Sequence, residues 1–135
     1  MQLDWPRAFD LQMERLNQDI ARGDERAKLI KQLVDAQLTF LMDEVVEPPL
    51  EGEETKQLRW VRQSKKNKVW RISHKFNPEA AVRTIVWFPE DGKAVILLFY
   101  GDKSHMGDVF YDTVGTRADQ LISQYLQEIA GEKNA

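Results

Sequence analysis

The chain begins with a helical pattern of apolar residues. Side chains recurring at spacings of three and four indicate two amphipathic helices. They are Leu11, Leu16 and Ile20 in the first stretch and Leu29, Ile30, Leu33, Val34, Leu38, Leu41 and Met42 in the second. The first helix is predicted over residues 6–22, with Asp4 as its cap and Gly23 at its end. The second is predicted over residues 24–45, with Asp24 as its cap.

A connector rich in proline, glycine and glutamate follows at residues 47–55, and the period then changes to two. Strands are predicted over residues 57–63, 69–76, 80–88 and 94–100. A tight turn is predicted at residues 89–92, Pro-Glu-Asp-Gly. The last strand is apolar throughout, which is typical of a strand covered on both faces, and we place it at the centre of the sheet.

The final element is a helix predicted over residues 116–130, with Thr116 as its cap and Asp119 closing a capping box. The element order predicts an α+β fold in which a helical hairpin, residues 5–46, packs on one face of a curled antiparallel sheet of three to four strands, residues 56–101. One domain is expected over residues 1–135.

The other face of this sheet is expected to be free. In the second strand, Trp70, Ile72, His74 and Phe76 alternate with Val69, Arg71, Ser73 and Lys75. The free face would therefore carry Arg71, Ser73 and Lys75.

The composition narrows the class of protein. The chain has 135 residues, 42% of them hydrophobic and 30% charged, as in ordinary globular proteins. It has no apolar run near the roughly 18 residues that cross a bilayer, and its N-terminus lacks the pattern of a signal peptide. Without cysteine it has no disulfides and no thiolate chemistry. We expect a cytoplasmic protein.

Charge is strongly segregated along the chain. Residues 1–55 carry 13 acidic and 6 basic side chains, residues 56–85 carry 1 and 9, and residues 86–135 carry 8 and 4. The stretch 58–75, LRWVRQSKKNKVWRISHK, holds eight basic side chains, counting histidine, and no acidic one. Such a segment indicates an anionic partner, or else internal pairing with the acidic helices; charge alone leaves both open.

Several kinds of site are disfavoured by the residue types present. The two histidines have no carboxylates at metal-ligand spacing, the serines lie in no nucleophile elbow, and the glycines form no phosphate loop. Basic and aromatic groups remain. Arginine, lysine, histidine and tyrosine can together cleave RNA without a metal, because cleavage needs a base for the 2′-OH, cations for the charged transition state and a proton for the leaving oxygen.

Each candidate also has a structural alternative. Arg83 interrupts an apolar strand, so it either reaches an anion or forms a salt bridge with a helix carboxylate. Tyr111 either acts at the site or anchors the last helix, and Lys103 and His105 either act there or lie in an exposed loop. The tryptophans Trp60, Trp70 and Trp87 could stack on bases, although tryptophans on alternating strands more often belong to the core.

The stretch VRTIVWFPEDGKAVILLFYGDKSHMGDVFYDTVGTRADQLI, residues 82–122, resembles the RelE/ParE toxin superfamily, especially its RelE and HigB-like ribonucleases and their phage-derived relatives. The family has a helical hairpin, a strand with an arginine, a hairpin, an apolar strand, a basic loop, a tyrosine and a final helix. The resemblance covers residues 56–130, and it implies a RelE-like arrangement of these elements.

The resemblance also implies roles for individual residues. Arg83 would contact the scissile phosphate, Arg71 and Lys75 would act as base or electrostatic stabilisers, Lys103 would be the basic residue after the last strand, and Tyr111 would orient the cleaved nucleotide. The catalytic set is then Arg71, Arg83, Lys103 and Tyr111. The predicted RNA-binding residues are Arg59, Arg62, Lys65, Lys66, Lys68, Lys75 and His105.

The resulting hypothesis is a toxin-like endoribonuclease of a bacterial or phage toxin–antitoxin system. It would cleave mRNA in the ribosome without a metal or other cofactor, and a cognate antitoxin would hold it inactive. The alternative is a non-catalytic member of the superfamily, either a ParE-like toxin that targets gyrase or a module that binds protein or nucleic acid. Gyrase-targeting members generally lack the basic catalytic set, so its presence here favours the ribonuclease.

Overall fold

The computed structural model describes residues 1–50, 53–61, 66–73, 81–100 and 107–133, with the backbone alone described for residues 107–112 and Lys133. The described residues form an α+β fold of three helices and a five-stranded mixed sheet. In chain order the elements are β1 (Gln2–Asp4), α1 (Arg7–Ala21), α2 (Glu25–Asp43), β2 (Leu58–Trp60), β3 (Val69–Ser73), β4 (Arg83–Glu90), β5 (Lys93–Tyr100) and α3 (Gly107–Lys133). Within these ranges, the structure contains no helix with the length and apolar character required to span a membrane.

The strands lie in the order β1-β5-β4-β3-β2. The β2–β3, β3–β4 and β4–β5 pairs are antiparallel, whereas β1 pairs with β5 in parallel. The prediction that the apolar strand 94–100 is central was wrong, because β1 and β4 flank β5 and β4 occupies the middle. The expected burial of that strand on both faces is confirmed, since residues 94–99 are all buried.

Two hydrophobic cores lie on opposite faces of the sheet. On the first face α1 and α2 pack against the strands. The buried residues of this core include Phe9, Leu16, Val34, Leu41, Trp70, Ile72, Val86, Ile96 and Phe99. On the second face α3 packs against the strands, and that core includes Val69, Ile85, Val95, Leu98, Val114, Ala118, Leu121, Ile122 and Tyr125. The expectation of a free second face was therefore wrong, because α3 has its own apolar stripe and buries it there.

The caps of the helical hairpin follow partly from the sequence. Asp24 caps α2 as predicted, accepting a hydrogen bond from the backbone N–H of Ala27 at 3.0 Å. Gly23 ends α1 with a φ of 90°, a left-handed conformation that favours glycine. Asp4, however, lies in β1 and does not cap α1; Pro6 occupies the N-cap position.

The start of α3 also differs from the prediction. The helix begins at Gly107, so Thr116 lies inside it and is not its cap. Polar residues before Thr116 interrupt the apolar spacing, and periodicity alone therefore placed the start too late. Asp119 accepts hydrogen bonds from the segment that joins β2 to β3, from Lys66 N at 3.4 Å and from Asn67 Nδ2 at 3.2 Å.

The edge of β5 beyond β1 is covered by a side chain. The β1 strand pairs with β5 only from Lys93 to Val95. Further along, the amide of Gln12 donates to the carbonyl oxygen of Phe99 at 3.0 Å and accepts from the Phe99 N–H at 3.0 Å. The side chain thus bonds to the strand edge as a neighbouring backbone would, which fixes α1 against the end of β5.

Candidate functional site

Arginine side chains stand on the face of the sheet that α3 partly covers. In β3, Val69 belongs to the core under α3, so Arg71 and Ser73, at alternating positions, share its face. Ile85 of β4 belongs to the same core, and Arg83, two residues earlier, stands on the same face. Both arginines therefore lie on one surface, as predicted for Arg71.

Strand register brings these residues close to one another. Arg71 lies directly opposite Arg59 of β2 on one side and Ile85 on the other. Arg83 is therefore a diagonal neighbour of Arg71, at a Cβ separation of about 7–8 Å, within reach of long side chains. We name Arg59, Arg71 and Arg83 the arginine cluster.

Arg83 is half-buried, and its guanidinium is only partly satisfied. Nη1 donates to the carbonyl oxygen of Val82 at 3.1 Å, while Nε is buried and has no hydrogen-bond partner among the described residues. In that part of the chain no carboxylate forms an ion pair with Arg83. The described residues therefore do not support the salt-bridge alternative for this residue.

Arg71 and Arg59 are the second and third members of the cluster. Nη1 of Arg71 donates to Oγ of Ser73 at 3.1 Å, and Ser73 is buried. Arg59 is exposed on β2, which is the last strand of the sheet on that side. Two like charges directly opposite each other on neighbouring strands are unfavourable unless an anion screens them. Arg59 and Arg71 therefore concentrate positive charge at this side of the sheet.

Tyr100 lies opposite Arg83 on β5, and the sequence analysis did not single it out. It is half-buried, and burial raises the pKa of its phenol, while the charge of Arg117 on α3 acts in the other direction. The side chain is therefore a neutral phenol at physiological pH and can donate a hydrogen bond. Its strand alternation with Leu98 was the signal in the sequence that could have identified it.

Several predicted site residues lie outside the described residues. These are Arg62, Lys65, Lys75, Lys103 and His105. Tyr111 lies within the backbone of α3, and its side chain is outside the description. Lys66 and Lys68 are described and exposed, on the connection between β2 and β3. Of the predicted catalytic set, the described site thus contains Arg71 and Arg83.

The tryptophans contribute to packing. Trp70 is 3% exposed and belongs to the core under α1 and α2, and Trp60 packs against the same core. Trp87 packs on the other face, with its ring 6.5 Å from that of Tyr125 in an edge-to-face arrangement. The core alternative is therefore confirmed for Trp70.

A pocket of about 370 Å³ lies near Ser73 and is lined by acidic residues. Its lining comprises Ala36, Thr39, Phe40, Asp43, Glu44, Gln57, Ile72 and Ser73. Asp43 and Glu44 would repel a phosphate there. The surface that carries the arginine cluster is therefore the better anion site.

No candidate metal site is present among the described residues, which contain no group of three or more potential ligands of the His, Cys, Asp or Glu type. Comparison of the chain with protein-family models, with curated proteins and with solved structures finds no match. The resemblance to the RelE/ParE superfamily consequently stays a prediction from the residues.

Proposed function

We propose that this protein binds RNA through the arginine cluster and acts as a RelE-like, metal-independent endoribonuclease toxin. The observation that carries the proposal is the placement of Arg59, Arg71 and Arg83 on one face of three adjacent strands, with the buried Nε of Arg83 lacking a partner among the described residues. A phosphodiester backbone is an anion whose oxygens can accept hydrogen bonds from several guanidinium groups at once.

The chemistry of the cluster suits phosphate. A planar guanidinium can donate to two phosphate oxygens at once, and the interaction strengthens as negative charge builds in the transition state of cleavage. In this proposal Arg83 holds the scissile phosphate and Arg71 stabilises the same charge. In this proposal the neutral phenol of Tyr100, opposite Arg83, donates a hydrogen bond to a phosphate oxygen.

The base that removes the ribose 2′-OH proton must be a different group. Arginine stays protonated in proteins, and burial makes Tyr100 harder to deprotonate. Lys75, Lys103, His105 and Tyr111 are the candidates from the sequence, and their side chains lie outside the described residues. Cleavage therefore rests on the resemblance, whereas phosphate binding rests on the arginine cluster.

A nucleic-acid-binding module without cleavage is the second candidate. This candidate is favoured by the lack of a suitable base for the 2′-OH among the groups described above. These groups can hold a phosphate but are poor bases; they are Arg59, Arg71, Arg83 and Tyr100. Such a module would keep the salt-dependent affinity of the first candidate and leave RNA intact.

An antitoxin would regulate the ribonuclease in the cytoplasm by covering the cluster. The acidic residues of the partner would pair with Arg71 or Arg83 and exclude RNA by charge and by volume. A complex with both arginines open to solvent would contradict this form of inhibition.

The test compares RNA binding and RNA cleavage in matched variants. We expect Arg71→Ala with Arg83→Ala to abolish cleavage of mRNA on programmed ribosomes and to weaken binding of a single-stranded RNA oligonucleotide measured by fluorescence anisotropy. The control is Arg15→Ala with Arg22→Ala, which removes the same charge from an exposed position of α1 and from its exposed C-cap. Thermal melts establish that both proteins are folded.

Each outcome separates the candidates. If Arg71→Ala with Arg83→Ala loses both RNA binding and cleavage while the control variant keeps them, the result supports the ribonuclease. Binding that depends on the cluster, with no cleavage by the wild-type protein, supports the module. Equal binding by the two double variants would exclude the cluster as the RNA site.

A further inference from the structure

A buried amide on α2 forms hydrogen bonds with the residues on both sides of Arg83. Gln37 is fully buried, with 0% exposure, in the core between α2 and the sheet. Its Nε2 donates to the carbonyl oxygen of Val82 at 3.1 Å, and its Oε1 accepts from the hydroxyl of Thr84, which is also fully buried. Gln37 thus binds the residue before Arg83 and the residue after it.

The Val82 carbonyl oxygen also accepts a hydrogen bond from the guanidinium of Arg83. Nη1 of Arg83 donates to this oxygen at 3.1 Å, the same distance as the bond from Gln37. A carbonyl oxygen has two lone pairs, so it can accept both hydrogen bonds. Two hydrogen bonds therefore hold the Val82 peptide, one from α2 on one face of the sheet and one from Arg83 on the other.

We propose that Gln37 is a positioning residue that fixes the guanidinium of Arg83 for anion binding, through the Val82 carbonyl and the Thr84 side chain. This inference rests on the proposed role of Arg83 in RNA binding. A glutamine suits the position because it supplies one donor and one acceptor at the end of a side chain, as the two bonds require. Both bonds are buried, which makes them costly to break and holds the start of β4 rigid.

The position of Gln37 in an apolar core supports this role. The surrounding residues of that core are hydrophobic, and an apolar residue at position 37 would fill the space without desolvating an amide. Hydrogen bonds account for the stability of the amide there. The two bonds go to the neighbours of Arg83, and this location supports the positioning role of Gln37.

The experiment follows the Arg83 side chain directly. Arginine Nε–H signals are recorded by nitrogen-15 NMR, and the Arg83 signal is identified by its absence in Arg83→Lys. Gln37→Met keeps the volume and removes both hydrogen bonds, so we expect the Arg83 signal to move in the free protein. RNA affinity should fall by roughly five- to tenfold, less than in Arg83→Ala, because the charge remains and the geometry is lost.

Leu41→Ala is the matched control, since Leu41 is one turn further along α2, fully buried and apolar. It should lower the melting temperature while leaving the Arg83 signal and the RNA affinity unchanged. If Gln37→Met does not fold, Thr84→Val removes one of the two bonds and is expected to move the same signal.

The outcomes distinguish this inference from the proposed function. An Arg83 signal that does not move in Gln37→Met or Thr84→Val overturns the positioning role. An RNA affinity that is unchanged in Arg83→Ala overturns the RNA-binding proposal instead. A signal that moves equally in Leu41→Ala also overturns the positioning role, because general loosening of α2 would then explain it.

Discussion

At the scale of single residues, Arg83 carries a buried donor that the described residues leave without a partner. Its Nε is buried without a partner among the described residues, and a buried unsatisfied polar group costs about 1–3 kcal/mol. Arg83→Met keeps much of the side-chain volume and removes the unsatisfied donor. We expect the free energy of unfolding, measured in urea, to rise by about 1 kcal/mol while RNA affinity falls.

The control for this prediction is Arg22→Met, at a side chain that is 75% exposed. Surface substitutions of this kind usually change stability by less than about 0.5 kcal/mol. A loss of stability in Arg83→Met would show that Arg83 is held by interactions that serve the fold. In that case Arg83 would not lower the stability of the fold for the sake of RNA binding.

Arg83→Lys tests whether the shape of the cation matters or only its charge. Lysine keeps the positive charge but cannot donate from two fixed N–H groups to two phosphate oxygens. If the protein cleaves RNA, the rate should fall on the order of a hundred- to a thousandfold, as for loss of one preorganised stabiliser of the transition state. The measurement is single-turnover cleavage on programmed ribosomes. A wild-type rate in folded Arg83→Lys would exclude bidentate contact at this residue.

At the scale of elements, β1, β5 and α3 are joined by a polar network. The Tyr125 hydroxyl of α3 donates to Oδ2 of Asp4 in β1 at 2.7 Å. The Lys93 ammonium at the start of β5 lies 3.9 Å from the same oxygen and 5.5 Å from the centre of the Tyr125 ring. The network connects the N-terminal strand to the C-terminal helix, which are far apart in sequence.

Titration of this network makes stability depend on pH in the alkaline range. Burial, then Asp4, raises the pKa of Tyr125 above 10.0, and the hydrogen bond with Tyr125 is the main cause that raises the pKa of Lys93 above 10.5. The folded protein therefore holds these protons more tightly than the unfolded chain does. Their contribution is fully present below the unfolded pKa values and is lost as pH rises through the folded ones.

Tyr125→Phe removes the phenol and its hydrogen bonds. Above about pH 10 the free energy of unfolding should fall less steeply with pH than in the wild type, because the variant lacks the raised phenol pKa and also the main cause of the raised pKa of Lys93. Urea denaturation at a series of alkaline pH values measures the slope. The difference in the free energy of unfolding between the two proteins at neutral pH serves as the reference. Parallel curves would show that the network does not couple titration to folding.

The elements that the sequence predicted well are those with a long, regular apolar pattern. The α1–α2 hairpin, with Gly23 and Asp24 at its turn, was predicted within a few residues, as was the β4–β5 hairpin with Gly92 at a φ of 77°. The β1 strand has three residues and no detectable period, so only its pairing with β5 reveals it. The position of α3 on the second face depends on long-range packing, which periodicity does not encode.

The candidate site was predictable to the extent that strand alternation determines it. Alternation predicted that Arg71 shares a face with Val69, and within β4 it puts Arg83 on the face of Ile85. That these two faces are the same one follows from the core under α3, which contains both Val69 and Ile85. The strand register places Arg59 opposite Arg71 and Tyr100 opposite Arg83. These two pairings could not be predicted, because local sequence does not determine the register. The bonds from Gln37 to both neighbours of Arg83 join residues 45 and 47 positions apart, beyond the reach of any local pattern.

At the scale of the whole molecule, acidic and basic side chains are separated along the chain. Residues 1–55 carry a net charge of −7, most of it outside the α1–α2 hairpin, since residues 7–43 hold seven acidic and six basic side chains. Residues 56–85, which include the arginine cluster, carry 9 basic side chains and 1 acidic one. An overall charge of −3 therefore coexists with a local cationic surface. Local potential, more than net charge, steers a polyanion to its site.

This separation predicts strongly salt-dependent RNA binding in spite of the acidic composition. Each phosphate contacted on a single strand should contribute a slope of roughly −0.7 to the plot of log affinity against log salt. Arg71→Gln with Arg83→Gln should make the slope shallower by about 1.4 if each arginine contacts one phosphate. Fluorescence anisotropy with a single-stranded RNA oligonucleotide over a range of salt concentrations measures it.

The control for the salt series is Arg15→Gln with Arg22→Gln, which changes the net charge by the same amount at α1 and its C-cap. A slope that depends on local contacts should stay at its wild-type value in this control, since counterions are released only where phosphates are neutralised. Equal reductions in both double variants would mean that the overall charge governs binding and that the arginine cluster is not the contact surface. A wild-type slope near zero would exclude phosphate contacts altogether, because binding driven by apolar or aromatic contacts releases few ions.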